Sequence, residues 1–232
     1  GIYKLKKLLQ EKNFEGFALK IQNHTDNIYY SHRIIRTKDK IRYKYKVHEL
    51  LQFKNENNTY IINDQHIFIY DKINPYMLSR TKCRFYNDIK FLKEDLKIYP
   101  NDSRILCYLG LLYYKLNEYD ISLDYFNKCI NNKDNKDLTF LSFSHLYCIY
   151  RNKNINLYNF LKQFTNTFPE RAEPLFFLAL HLMSKNNYKK SIQLLLQAIK
   201  IPIPNTLYPI NTIIYTKEIP FLLCENLFLQ EN

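Results

Sequence analysis

The chain has 232 residues, 34 Lys and Arg against 22 Asp and Glu for a net charge of +12, and 46% hydrophobic and 16% aromatic content. That is apolar material for one or two real cores. Its three glycines, Gly1, Gly16 and Gly110, stand too far apart for a phosphate loop or a dinucleotide fingerprint, and no run of about 18 apolar residues exists to span a membrane.

Residues 2–12 read as a short helix with Ile2, Leu5, Leu8 and Leu9 on one face. After Gly16 the texture changes to strands. Residues 17–22, 27–36, 41–51 and 59–70 are rich in Ile, Tyr and Phe, and polar turns at 23–26, containing His24, and at 55–58 separate them. In the third of these the period-two rule puts Arg42, Lys44, Lys46 and His48 on one face, and Ile41, Tyr43, Tyr45, Val47 and Glu49 on the other.

The charge is uneven. Residues 33–46 hold Arg33, Arg36, Lys38, Lys40, Arg42, Lys44 and Lys46 against Asp39 alone, so 7 − 1 = +6, half the net charge, sits in one short segment. The richness in Lys, Asn, Ile and Tyr fits an AT-rich genome, which weakens any argument from total charge. One reading of the segment is a solvated edge hairpin whose lysines guard it against pairing. The other is an anion site for a nucleotide diphosphate or a nucleic-acid backbone. Tyrosines interleave the basic residues, but no nucleic-acid module signature accompanies them, and no nucleic-acid partner is expected.

From about residue 81 the periodicity is helical. Residues 81–98, ending at Pro100-Asn101-Asp102, read as the second helix of a half-repeat that caps an array. Next comes Leu106-x-x-Leu109-Gly110-x-x-Tyr113, followed by Tyr119, Ser122, Phe126 and Cys129. Later the chain has Leu175-x-x-Leu178-Ala179-x-x-Leu182, followed by Tyr188, Ser191, Leu195 and Ala198. Gly110 and Ala179 are 179 − 110 = 69 residues apart, two periods of the tetratricopeptide spacing of about 34. A small residue there lets two helices approach closely, and large residues three before and three after fill the groove beside it. A further pair must lie between them, over about 137–168. Helices are expected at 81–98, 103–115, 119–131, 137–151, 155–167, 172–185 and 188–200, with strands only before about 75. Breaks fall at 131–137, at Pro169 and through Pro202, Pro204 and Pro209. Residues 217–229 read as a first helix lacking its partner. With no initiator methionine before Gly1, the expectation is of a fragment.

The five cysteines are odd in number and lack C-x-x-C spacing. Cys107 and Cys129 fall on apolar helix faces, so a reducing, cytoplasmic location is expected. His145 and His181 lie in repeat helices, either packed or lining a groove. Tyr113, Tyr119, Phe126 and Tyr188 occupy repeat-core positions. No His, Cys and Asp cluster has metal-ligand spacing.

Arg33-Ile-Ile-Arg36 followed by Tyr43-Lys-Tyr-Lys-Val47-His48-Glu49-Leu50 resembles the acceptor-side half of inverting GT-A glycosyltransferases of family two. The segments Phe85-Tyr86-Asn87-Asp88-Ile89, Pro100-Asn101-Asp102-Ser103-Arg104 and Pro169-Glu170-Arg171-Ala172-Glu173-Pro174-Leu175 resemble the junction and repeats of the subgroup that carries tetratricopeptide-like helices. The resemblance implies an α+β chain: residues 1–75 as the acceptor-side half of a GT-A domain, and 76–232 as tetratricopeptide-like repeats. The activity implied is inverting sugar transfer from a nucleotide-sugar donor to a carbohydrate or protein acceptor. Such chemistry needs a carboxylate base and positive charge on the departing diphosphate. Glu49 is the candidate base, and Arg33, Arg36 and His48 the candidate substrate contacts. The plainer readings are a strand-end carboxylate paired with a lysine, surface arginines and a satisfied strand histidine. The chain departs from that family in lacking the Asp-x-Asp that holds a divalent metal, manganese or magnesium, under the donor diphosphate. It also has Ile69-Tyr70-Asp71, with His66 nearby, where the family tends to place a histidine. The metal is therefore expected only in a full-length enzyme, with none bound and no activity in residues 1–232 alone. The alternative is a non-enzymatic tetratricopeptide-repeat scaffold with a degenerate transferase remnant and a protein partner on its helices.

Overall fold

The computed structural model describes residues 2–23, 27–36, 41–53, 58–71, 81–132, 134–153, 156–204, 206, 208 and 210–231. His24, Lys38, Asp39, Lys40, Pro209 and most of the polar turn at 55–58 lie outside the described residues. The chain divides into two compact units, Gly1–Pro100 with Thr206–Ile210, and Asn101–Asn205 with Asn211–Asn232. The division falls at 100, where the sequence placed it at 75.

In the first unit, helix α1 (Ile2–Glu11) precedes β1 (Gly16–Asn23) and β2 (Asn27–Ile35), which pair antiparallel with a bulge between Phe17 and Ala18. The stretch expected as one strand over 59–70 is two, β5 (Thr59–Ile62) and β6 (Phe68–Asp71). Both run parallel to β1, Gly16 opposite Thr59 and Lys20 opposite Phe68. Between them the chain turns through an Asp64–Ile67 bridge, where Asp64 accepts the His66 N–H at 2.8 Å and pairs with Lys4. The short β7 (Ile210–Asn211) lies beside β2, a strand outside the region where strands were expected. Leu5, Leu8 and Leu9 of α1 pack on Phe17, Leu19, Ile62 and Ile67, as the helical spacing required, but Ile2 is 75% exposed. Gly16 is needed for space: a Cβ there would stand 2.4 Å from the Phe53 ring.

The expected third strand breaks. β3 (Arg42–Lys44) and β4 (Leu50–Gln52) form a separate hairpin, with Arg42 opposite Gln52 and Lys44 opposite Leu50. Tyr45 to His48 make the bend, so Lys46 and His48 do not continue the face begun by Arg42 and Lys44. Period-two alternation holds only while the chain stays extended. Helix α2 (Thr81–Ile98) supplies the cause. Its Asp95 accepts the Lys46 N–H at 2.8 Å, and Tyr99 just beyond it meets the Tyr45 ring edge-on. Helix α2 thus belongs with the sheet, where the sequence assigned it to the repeats.

The second unit is a helical array. Helices α3 (Ser103–Lys115) and α4 (Tyr119–Asn132), α5 (Lys136–Lys153) and α6 (Leu157–Thr167), and α7 (Ala172–Met183) and α8 (Tyr188–Ala198) form three successive pairs. The expected boundaries hold within two residues. Asp102 starts α3 by accepting the N–H groups of Arg104 and Ile105. The first and third pairs repeat each other bond for bond. Ser122 Oγ donates to the Gly110 carbonyl at 2.8 Å and Ser191 Oγ to the Ala179 carbonyl at 2.9 Å. Asn117 (φ 63°) and Asn186 (φ 58°) each take the left-handed conformation in the interhelix turn, where asparagine is one of the few tolerant residues. Each side-chain oxygen then accepts the hydroxyl of the tyrosine two residues on, Tyr119 and Tyr188. The middle pair fills the same interior positions: Phe126, Leu161 and Leu195 are fully buried, as are Cys129, Phe164 and Ala198. Ser144 stands where the flanking pairs have Gly110 and Ala179, and the room is taken up by rings, Phe143 stacking on Phe164 at 5.0 Å.

After residue 201 the chain leaves the array and returns through a π-helical turn (Ile214–Glu218) into α9 (Ile219–Glu231). Ile214, Ile219 and Leu222 close the core of the third pair on Ala172, Leu175, Ala179 and Leu195. Among the described residues, no helix is long and apolar enough to cross a membrane.

Candidate functional site

The residues singled out by sequence separate into two places. Arg33 is exposed on β2. Arg36, just beyond β2, closes the end of α1: its Nε donates to the Phe14 carbonyl and its Nη2 to the carbonyls of Leu9 and Lys12, all at 2.8 Å. Cations at a helix C-terminus meet the unsatisfied carbonyls and the negative end of the dipole. Those bonds give Arg36 a structural job at the end of α1.

His48 and Glu49 lie in the bend between β3 and β4. Tyr45 and His48 there have φ of 70° and 52°, a conformation uncommon outside glycine, more so for tyrosine than for histidine. The bend is held from α2. Lys46 Nζ reaches Glu94 at 2.6 Å, its N–H reaches Asp95, and His48 Nε2 stands 4.0 Å from Asp88. The hydrogen bond with Glu94 holds the exposed Lys46 ammonium above its ordinary pKa, and the same bond lowers the Glu94 carboxyl. Glu49 is exposed. The divalent metal implied by the resemblance finds no fit here. Asp88 already faces Arg84 at 3.6 Å, and among the described residues no group of three or more His, Cys, Asp or Glu is placed to hold a metal.

The second unit holds a cavity of about 810 Å³ where the second and third helix pairs turn from first to second helix. Tyr147 and Arg151 of α5, His181 of α7 and Lys185 and Tyr188 beyond it form its walls, with Leu157 of α6, Leu180 and Met183 as apolar floor. The Tyr147 ring is fixed by stacking on Phe177 at 4.2 Å, and burial pushes its phenol pKa up while the neighbouring Arg151 pulls against that. Burial, with the charge of Lys185, lowers the His181 pKa, so the imidazole is neutral at physiological pH. Tyr188 thus has two roles, tying the interhelix turn through Asn186 and lining the cavity, where the repeat pattern alone predicts a core position. His181 reaches this wall, while His145 is enclosed between the rings of Phe126 and Tyr114. Tyr147, Arg151 and Lys185 were missed, because a cavity between consecutive turns joins residues about 34 apart and no local motif marks them.

Comparison with known proteins agrees with the helical half. Residues 103–136 match the family model described as tetratricopeptide repeat. No curated protein gives a significant match. Among solved structures, a crystal structure of MamA is 17% identical over 68% of this chain and 96% of that one, with a TM-score of 0.43. Yeast Tom70 is 19% identical over 60% and 29%, at 0.45. YrrB, described as a TPR protein with an unusual peptide-binding site, is 13% identical over 68% and 83%, at 0.41. At such scores these are loose likenesses, and the assignment rests on the matched segment and the repeated bonds. Residues 103–136 are similar to a tetratricopeptide repeat, and two further helix pairs follow them in the array.

Proposed function

We propose that this chain is an interaction module whose helix pairs bind a protein partner. The observation that carries the reading is the cavity between the second and third pairs, walled by fixed rings and two exposed cations on a rigid array. Sites of several hundred Å³ with an apolar floor and a few convergent polar groups are where ligands bind. The array supplies what such a site requires: each pair is locked to the next by buried side chains, so Tyr147 and Tyr188 are held in place before any partner arrives. The test is photo-crosslinking with an unnatural side chain placed at Asn156 on the cavity rim, and separately at half-buried Lys20 of β1. Crosslinks that form from the rim and are lost when Tyr147→Ala empties the wall support the module. Crosslinks from β1 alone overturn it.

A second reading is favoured by one observation, the bend at 45–48, where two left-handed residues flank a Lys46 N–H held by Asp95 of α2. Backbone held in a costly conformation by its surroundings points to a site more often than to chance. In this reading the first unit is the acceptor-side part of a sugar transferase. Glu49 takes the proton of the acceptor hydroxyl as the new glycosidic bond forms and the bond to the nucleoside diphosphate breaks, while His48, Arg33 and Arg36 contact the substrates. The donor-binding half lies outside these 232 residues. Calorimetry with uridine- and guanosine-diphosphate sugars and manganese is the test: the present chain is expected to bind none, and a protein carrying an added donor half is expected to bind one. Failure of the extended protein across the panel removes the reading, and tight binding by the present chain shows the donor site to be misplaced.

A further inference from the structure

We infer that the cavity between the second and third helix pairs takes an acidic peptide segment carrying an aliphatic side chain. This rests on the reading of the array as a binding module and names its partner's chemistry. Charge decides the first half. The cavity walls carry the cations Arg151 and Lys185 beside the neutral His181, and none of its lining residues is acidic. Carboxylates on and near these helices are paired with other cations: Asp120 with Lys153, Glu170 with Lys136 and Glu173 with Arg171. Among the described residues no ion pair joins a carboxylate to Arg151 or Lys185. A site of one sign in low-dielectric walls attracts the opposite sign and rejects its own.

The floor decides the second half. Leu157, Leu180 and Met183 offer an apolar surface inside the same cavity, and methionine adapts its shape to an aliphatic guest. A single-stranded nucleic acid needs exposed ring faces on which bases stack. Tyr147 is only 6% exposed with one face against Phe177, and the Tyr188 hydroxyl is bound to Asn186. A membrane surface asks for a broad apolar and basic face lying in a plane, and here the cations line a concavity. A peptide alternating carboxylates with leucine matches both the rim and the floor.

The experiment is fluorescence anisotropy of the full chain with a fluorescein-labelled peptide alternating Glu and Leu, and with its twin in which every Glu is Gln. The acidic peptide is expected to bind roughly ten-fold more tightly than its twin, with the preference shrinking as salt rises. Arg151→Gln with Lys185→Gln is expected to erase the preference. Both side chains are exposed, and circular dichroism confirms that the helices remain. Tyr147→Ala is a second, independent variant and should weaken both peptides alike. Equal binding of the twins, or an unchanged preference in the Arg151→Gln/Lys185→Gln protein, overturns the inference. So does tighter binding of a uridine oligonucleotide or of an anionic phospholipid vesicle. If rim crosslinking captures a protein while the acidic peptide fails to bind, the module stands and its acidic specificity falls. If rim crosslinking also fails, both fall.

Discussion

Arg171 and Glu173 form a closed ion pair, guanidinium to carboxylate at 2.6 and 3.1 Å, with both side chains withdrawn from solvent at the start of α7. The guanidinium also lies over the Phe140 ring at 3.7 Å, and the Tyr215 hydroxyl donates to the same carboxylate. One pair therefore ties the second helix pair, the third, and the π-helical turn. Burial works against the charged guanidinium, yet the bonds from Glu173 leave its pKa raised. Burial and then the charge of Glu173 push the Tyr215 phenol up as well. Removing one partner leaves a buried charge uncompensated, so Glu173→Ala is expected to cost about 3–5 kcal/mol in urea unfolding. Replacing both, Arg171→Met with Glu173→Leu, is expected to recover most of that loss. If Glu173→Ala costs nothing measurable, the pair is open to water in solution.

Gly110 and Ala179 are both fully enclosed where paired helices cross. A Cβ on Gly110 would stand 2.7 Å from the Phe126 ring, inside any real contact, and Ala179 is 0% exposed. Gly110→Ala and Ala179→Leu are each expected to destabilise by about 1–3 kcal/mol through overpacking. Thermal melting reads the loss, and an unchanged midpoint in both would mean that the helices do not cross there.

Those two positions also show what the sequence made legible. The 69-residue interval predicted the array, its boundaries and the hidden middle pair, because helix pairing repeats the same small, large and hydroxyl residues wherever the same contact recurs. The bend at 45–48 was not legible. Alternation in Arg42, Lys44, Lys46 and His48 is a local signal, and the hydrogen bond that overrides it comes from Asp95, 49 positions along the chain. The structural role of Arg36 was hidden in the same way: its sequence neighbours are basic, but its bonding partners are carbonyls of residues 22 to 27 positions earlier. Nor could the cavity be read, since its walls are assembled from two turns whose residues are ordinary one by one.

Acidification should weaken the array through His145. Burial lowers its pKa, the bond from Nδ1–H to the Leu141 carbonyl at 2.9 Å opposes that shift, and nearby Lys115 adds to it. The folded pKa lies below the unfolded value of about 6.5. Between the two the unfolded chain binds the proton and the folded chain does not, so stability is full above about pH 6.5 and falls as pH drops. His32 and His181 have the same sign from burial and contribute to the same window. Melting temperatures taken from about pH 7.5 down to about pH 5 should decline, and His145→Phe should flatten the decline without abolishing it. A slope identical in the two proteins would place the His145 ring in contact with water.

The bend before β4 gives the last expectation, and it separates two carboxylates one residue apart on α2. Asp95 is 3% exposed and accepts the backbone N–H of Lys46, whereas Glu94 meets only the exposed ammonium of the same lysine. A part-buried N–H that loses its acceptor costs up to about 1–3 kcal/mol, while an exposed ion pair is screened by solvent. The neighbours of that N–H, Tyr45 and His48, are both left-handed, so the bend is under strain that only its anchors hold. Asp95→Ala is therefore expected to destabilise the first unit and to speed amide hydrogen exchange at Tyr45 to His48. Glu94→Ala is expected to leave exchange there nearly unchanged. Equal exchange in both variants would show that the bend holds itself, through the Tyr45–Tyr99 contact and the approach of His48 to Asp88, and that Asp95 is incidental to it.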